Sequence, residues 1–386
     1  MSKNAIPYGK QNITQEDIDA VVKTLKSDFL TQGPKVEEFE IKFAQYIGSK
    51  YAVAVSSGTA ALHLSVLALG LEKGKKVITT PLTFIASANA VLYAGGEVDF
   101  CDIDPETLLL DIDLVREKIV SSPKGTYCGI IPVDFAGAAV QMDAFRSLAD
   151  EYGLWLLEDS CHAPGGFFYD AINQKQNCGN GSYADSAIFS FHPVKHIACG
   201  EGGMITTNDI SLYNKLLKLR THGITKNSEE LIENHGPWYY EMQSLGYNYR
   251  LDDIACSLGI SQLNRASESL KERKRIAKKY QDLLKGVKEI IFFNTDMEGH
   301  AYHLLVIETS KRRALYDYLR AHHIFAQVHY IPVHLQPYYQ SLGFKKGDYP
   351  KAEAHYENCL SLPIFPSITE EELEYTIATI KNFSHG

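Results

Sequence analysis

From Tyr51 onward the chain alternates short apolar runs with segments of helical periodicity. The first run, Tyr51 to Val55, leads into the small polar turn Ser56-Ser57-Gly58-Thr59, and Leu62, Leu64, Val66, Leu67 and Leu69 then mark a helix. Runs of the same kind recur at 76–80, 98–103, 129–134, 154–158, 186–191 and 203–207, and the spacing predicts a helix over 141–152. Strands this short and this continuously apolar suit a sheet covered on both faces, and parallel neighbours need crossovers of about this length. The pattern therefore predicts an α/β fold with one large, mostly parallel seven-stranded sheet.

Ahead of this block, Thr14 stands as a helix N-cap with Asp17 three positions on, followed by Ile18, Val21, Val22 and Leu25. That spacing predicts an amphipathic helix within an N-terminal arm over 1–30. The large domain is read over 31–251. Beyond Asp252 come a long helical pattern, strand-like runs at 290–293, 302–307 and 324–330, and helices over 311–322 and 370–383, which together predict a smaller α+β domain over 252–386. The run Lys271-Glu272-Arg273-Lys274-Arg275 reads as a solvated helix face. No repeat, low-complexity tract or Pro/Gly-rich linker separates the two domains, so they are expected to pack closely.

Charge removes one class of function. With 38 Lys and Arg against 47 Asp and Glu, the net charge of −9 excludes nucleic-acid binding by bulk charge. No window approaches the roughly 18 apolar residues of a membrane span, and Met1 to Pro7 lack the apolar core of a signal peptide, so a cytoplasmic protein without a membrane partner is expected. The seven cysteines are scattered with no C-x-x-C pair, and the 14 histidines include no H-E-x-x-H. No metal site is expected.

Four segments could carry chemistry. Gly179-Asn180-Gly181-Ser182-Tyr183-Ala184 formally fits a dinucleotide fingerprint, but that motif must follow a strand and open a helix, whereas this one precedes a strand. The turn at Ser56 to Ala60 offers hydroxyls and a helix N-terminus to a phosphate, although a plain helix cap has the same sequence. Asp159 follows the apolar run Leu154-Trp155-Leu156-Leu157, on the side where α/β sheets place ligands; an Asp capping the next turn would look alike. Finally, the run that ends at Ser190 is followed by Lys195 and by the Gly-rich Cys199-Gly200-Glu201-Gly202-Gly203. Together these supply an amine for an aldehyde, hydroxyls for a phosphate and a carboxylate for a pyridine nitrogen, which are the three requirements of pyridoxal phosphate.

With these residues in place, the chain resembles the sugar-nucleotide aminotransferases of fold type I, the StrS-type family, over nearly its full length. The resemblance is carried in order by Ser57-Gly58-Thr59-Ala60-Ala61-Leu62-His63, Thr80-Pro81-Leu82-Thr83-Phe84-Ile85-Ala86, Glu158-Asp159-Ser160-Cys161-His162-Ala163, Ser190-Phe191-His192-Pro193-Val194-Lys195 and Gly246-Tyr247-Asn248-Tyr249-Arg250-Leu251. It implies the fold type I architecture and pyridoxal phosphate as cofactor. Lys195 is then the catalytic lysine bonded to the cofactor, Asp159 the partner of the pyridine nitrogen, Phe84 the ring that stacks on it, and His162 its neighbour. Gly58, Thr59, Ala60 and Ser190 would hold the phosphate, with Asn248 reaching it from a neighbouring subunit, which implies a homodimer with shared active sites.

The segments Leu30-Thr31-Gln32-Gly33, Ala326-Gln327-Val328-His329-Tyr330 and Pro337-Tyr338-Tyr339-Gln340 resemble a branch of the family that serves pseudaminic acid biosynthesis. Glu158 and Cys161 stand where that branch is expected to carry small polar residues. The implied reaction moves the amino group of L-glutamate to C4 of a UDP-4-keto-6-deoxy-N-acetyl hexosamine, with a dTDP sugar as the alternative acceptor. Tyr8, Thr31, Gln32, Arg250, His329 and Tyr330 are the expected substrate contacts. A sugar dehydratase of the same family would carry His at position 195, and a non-catalytic cofactor-binding protein would not need the intact Asp159 and Lys195.

Overall fold

The protein is described by a computed structural model that covers residues 5–295 and 297–385. Met1 to Asn4 of the expected arm lie outside the described residues, as do Asp296 and Gly386.

All seven expected strands of the large sheet form. In spatial order they are Tyr51–Val55, Gly203–Thr207, Ser186–Ser190, Trp155–Asp159, Tyr127–Ile131, Lys76–Thr79 and Glu97–Phe100. Gly203–Thr207 runs antiparallel to both neighbours and every other pairing is parallel. The six co-directional strands therefore end on one edge. Two strands begin and end earlier than the apolar runs suggest: the runs 98–103 and 129–134 give Glu97–Phe100 and Tyr127–Ile131. After Ile131 comes Pro132, which has no N–H to donate, and the chain then turns through the short helix Phe135–Gly137.

The helix Gly58–Ala68 is buried on nearly every side, which suits its almost wholly apolar sequence. The N-terminal helix Gln15–Leu25 begins as its spacing predicts, with the Thr14 N–H donating to Asp17 Oδ2 at 2.9 Å. Asp17 is itself buried and accepts from Gln262 Nε2 at 2.8 Å and from Arg265 Nη1 at 2.7 Å, which fastens the helix to Asp253–Asn264. Elements outside the expectations include the helix Pro34–Ile47, the hairpin of Phe167–Tyr169 with Lys175–Asn177, the helix Pro350–Asn358 and the strand Cys359–Leu362.

The C-terminal part holds a three-stranded antiparallel sheet with Leu305–Glu308 between Ile291–Phe292 and Cys359–Leu362, covered by the helices Ala266–Leu284, Arg312–Ala321 and Glu370–His385. Its strands are shorter than the apolar runs. Tyr302 takes a positive φ of 49°, and the N–H groups of Ala301 and Leu304 donate instead to the carbonyls of Gly137 and Ala136 in the large sheet's connections. The run 324–330 forms a strand only at Ile324–Phe325, which pairs in parallel with Ile6–Pro7; beyond it Gln327 exchanges both backbone bonds with Ser361 and the chain turns toward the large sheet.

The solvated-face reading of 271–275 fails at one position. Arg273 is 2% exposed and its Nη1 reaches the carbonyls of Tyr302, His303 and Ile364 at 3.2, 3.4 and 3.1 Å. It is the side chain that satisfies the irregular entry into the central strand of the small sheet. Arg273→Leu leaves those carbonyls without their donor and is expected to destabilise the protein by about 3 kcal/mol or more, read as an earlier unfolding midpoint in denaturant. An unchanged midpoint would contradict this role.

Candidate active site

At the C-terminal edge of the parallel strands lies a cavity of about 410 Å³. It gathers Gly58, Thr59, Phe84, Asp159, His162, Ser190 and Lys195 from the large sheet's connections, Tyr8 from the arm, and His329 and Tyr330 from the segment after Ile324–Phe325. Residues spread over more than 300 positions of sequence thus meet because six strands end together.

Asp159 closes its strand. Its N–H donates to the Pro132 carbonyl at 2.9 Å and its own carbonyl accepts from the Asp134 N–H at 3.1 Å, so the backbone is held from the neighbouring strand. The carboxylate accepts from Ser87 Oγ at 2.7 Å and from the Cys161 N–H at 3.2 Å, and Ser87 Oγ is 3.0 Å from Thr83 Oγ1. These bonds orient a carboxyl group that is only 5% exposed.

Lys195 follows the strand Ser186–Ser190 through a turn closed by its N–H donating to the His192 carbonyl at 2.8 Å. Its Nζ lies 3.5 Å from His303 Nε2. Burial pushes the amine below the ordinary lysine range, while Cys161 and Asp159 pull the other way. The neighbouring His162 accepts from the Ala136 N–H at Nδ1, 3.2 Å, which leaves Nε2 facing the Tyr330 hydroxyl at 3.4 Å. Burial, with the Lys195 charge second, holds this imidazole well below its usual range, and it stays neutral.

The start of Gly58–Ala68 faces the same cavity. Ser57 Oγ caps it by accepting from the Ala60 N–H at 3.0 Å, and Ala60 is buried one turn position behind. A Cβ on Gly58 would lie 2.9 Å from Ser190 Cβ. Glycine here keeps the turn open beside the Ser190 hydroxyl, at a helix N-terminus of the kind that can receive an anion.

Not every expected residue reaches this cavity within one chain. Gln32 and Arg250 line a separate depression of about 280 Å³ with Glu40 and Arg220, while Thr31 and Asn248 are exposed. Conversely, Ser87, Glu201 and His303 line or touch the site without having been singled out by the sequence. Ser87 had a signal, since it sits four residues after Thr83 at the start of a helix; His303 had none. A second groove of about 690 Å³ adjoins the cavity, shares Thr83, Phe84 and Tyr330 with it, and runs along Tyr93, Pro337 and Tyr338.

A seven-stranded fold type I sheet carrying a half-buried lysine, a strand-end carboxylate and a glycine turn at a helix start is the architecture of a pyridoxal-phosphate enzyme. The chain belongs to the DegT/DnrJ/EryC1/StrS aminotransferase family, whose profile matches residues 11–381. It is 38% identical over 390 residues to the spore coat polysaccharide biosynthesis protein SpsC of Bacillus subtilis, covering 99% of this chain and 97% of that one. It is 37% identical over 385 residues to the UDP-4-amino-4,6-dideoxy-N-acetyl-beta-L-altrosamine transaminase of Campylobacter jejuni, covering 97% and 96%. Among solved structures, the PLP form of Spr1654 from Streptococcus pneumoniae superposes with a TM-score of 0.88 at 30% identity, covering 99% of each chain, and the same protein is known in a PMP form. This protein is a sugar-nucleotide aminotransferase that uses pyridoxal phosphate.

The residues fit that cofactor: an open glycine turn at a helix start, an oriented carboxylate and an amine with a lowered proton affinity border one cavity. No helix among the described residues is long and apolar enough to cross a membrane. Gly58→Val, which drives a side chain into Ser190, is expected to leave the fold intact by circular dichroism and to abolish cofactor retention by absorbance. Full cofactor retention in that variant would contradict the phosphate turn.

Proposed function

We propose that the protein transfers the amino group of L-glutamate to C4 of a UDP-4-keto-6-deoxy-N-acetyl hexosamine, in the pseudaminic acid pathway. The observation that carries the catalytic part is that Lys195 is the one lysine among the residues lining the cavity that also holds Asp159 and the glycine turn. When bound, pyridoxal phosphate supplies an electrophilic carbon for the amine and a protonated ring that takes up electron density from the donor's α-carbon.

The protein's own groups do the rest. With the cofactor bound, Lys195 Nζ would be the group that removes the proton from the donor's α-carbon and, in the second half-reaction, supplies one to the acceptor sugar; its lowered proton affinity suits both directions. Asp159, fixed by Ser87 and the Cys161 N–H, holds the proton on the pyridine nitrogen. Phe84 would stack on the cofactor ring and neutral His162, kept in place by Ala136 and Tyr330, would be its neighbour. The Gly58–Ala60 turn and Ser190 hold the phosphate. Tyr8, His329 and Tyr330 line the entrance and are assigned to the sugar, with His329 Nδ1 fixed by Ser361 Oγ at 2.8 Å.

We assign the active unit as a homodimer with shared sites. Asn248 lies exposed, outside its own chain's cavity, and the segment before it bears Ile232, Trp238, Tyr240, Met242 and Leu245, all more than half exposed. An apolar set of that kind on one segment favours cover by another protein surface. In the dimer, Asn248 of one subunit reaches the partner's cofactor phosphate, and Thr31, Gln32 and Arg250 serve the substrate from positions that a single chain leaves apart.

The nucleotide sugar is favoured by the name of the Campylobacter relative and by the residues from Ala326 to Tyr330 and Pro337 to Gln340. SpsC, at 38% identity, is named for spore coat polysaccharide biosynthesis and not for a particular sugar nucleotide, which keeps one alternative open, another 4-keto-6-deoxy sugar nucleotide such as a dTDP sugar. Mass spectrometry of products from a panel of UDP- and dTDP-4-keto-6-deoxy sugars with L-glutamate separates them. The expected product is the UDP-linked 4-amino-N-acetyl sugar; conversion of dTDP sugars alone would overturn the substrate. Lys195→Ala is expected to lose glutamate turnover by a factor of roughly a million while still binding cofactor, and retained turnover would overturn the assignment of the base.

A further inference from the structure

Glu158 immediately precedes Asp159 in its strand, so its side chain points to the opposite face of the sheet. There it meets Asp134, from the end of the neighbouring strand, and Cys178, which follows the hairpin. One oxygen or sulfur from each lies within 4.8 Å of the others, and the three residues are 3%, 0% and 1% exposed. Among the described residues no cationic side chain bonds to any of them. Two ionised carboxylates this close, buried and with no cationic partner among the described residues, repel strongly.

The hydrogen bonds show which carboxyl is the acceptor. Asp134 Oδ1 accepts from the Val140 N–H at 2.9 Å and Oδ2 from Ser160 Oγ at 2.8 Å. Glu158 accepts at Oε1 from the Gly179 N–H at 2.9 Å. Asp134 thus has a donor on each oxygen, whereas Glu158 has one on Oε1 alone. The three groups resemble a metal-binding set in spacing, but donors already occupy the oxygens that a metal would need.

We propose that Asp134 and Glu158 share one proton, carried on Glu158 and donated to an ionised Asp134, and that this pair positions Asp159. Asp134 is bonded through its backbone N–H to the Asp159 carbonyl and through its side chain to Ser160, so the pair fixes the chain on either side of the cofactor's carboxylate. The titratable groups facing it are Asp159 on the strand end and Cys178 on the adjoining segment; burial holds the Cys178 thiol protonated and pushes both carboxyls of the pair upward. The positioning role rests on the reading of Asp159 given above, whereas the shared proton does not.

Infrared spectra of the cofactor-free protein at about pH 8 test the proton directly. A protonated-carboxyl C=O stretch is expected in the wild type and should vanish in Glu158→Gln, whose amide still donates to Asp134 and accepts from Gly179. Absence of the band in the wild type, or its persistence in E158Q, would overturn the shared proton. E158Q is also expected to melt with the wild type, and a clear rise in melting temperature would mean that two repelling charges had been relieved. For the positioning role, Glu158→Leu is expected to bind pyridoxal phosphate roughly tenfold more weakly in a fluorescence titration, with E158Q restoring the affinity. Equal affinity in E158L and wild type would overturn that role. A wild type that binds no cofactor would instead fail the reading of Asp159.

Discussion

The active site depends on one constraint: a carboxylate must be held, charged and oriented, at a buried strand end. Asp159 meets it because a parallel sheet aligns the ends of its strands and because the backbone there is bonded to Pro132 and Asp134, just past the end of the neighbouring strand. Ser87 and the Cys161 N–H then fix the two oxygens. The helix start at Gly58, the turn that carries Lys195 and the loop that carries Phe84 all leave the same edge, so their distances from Asp159 follow from the sheet rather than from local sequence.

The smaller part of the protein completes the site by a different device. Its first segment does not join the small sheet at once; the N–H groups of Ala301 and Leu304 bond to the carbonyls of Gly137 and Ala136, which puts His303 beside Lys195. The freed carbonyls of Tyr302 and His303 fall to buried Arg273. Farther on, the chain leaves its short strand at Phe325 and carries His329 and Tyr330 into the entrance. Irregular backbone here is the means by which a separate sheet delivers side chains to the large one.

Much of this was legible in the sequence. The seven runs of the large sheet gave the strands because most of them are buried on both faces and largely apolar; the glycine turn, Asp159 and Lys195 stood out because their residue types are unusual beside such runs. The small sheet was less legible. Tyr302 to Leu304 and Ala326 to Tyr330 are as apolar as strands, yet their backbone groups bond across to other elements, and periodicity carries no trace of a partner that distant. Arg273 was hidden in a charge run whose other members are solvated, since burial of one guanidinium depends on three carbonyls that no local pattern announces. The four residues assigned to the partner or substrate, Thr31, Gln32, Asn248 and Arg250, could be singled out only through motif resemblance, because within one chain they lie apart from the cavity.

The central claim is that a single amine, that of Lys195, carries the cofactor opposite Asp159. Reducing the holoenzyme with borohydride and mapping the labelled peptide by mass spectrometry tests it most directly. The account predicts one pyridoxyl group per chain, on Lys195; a label on any other lysine, or none, would contradict it.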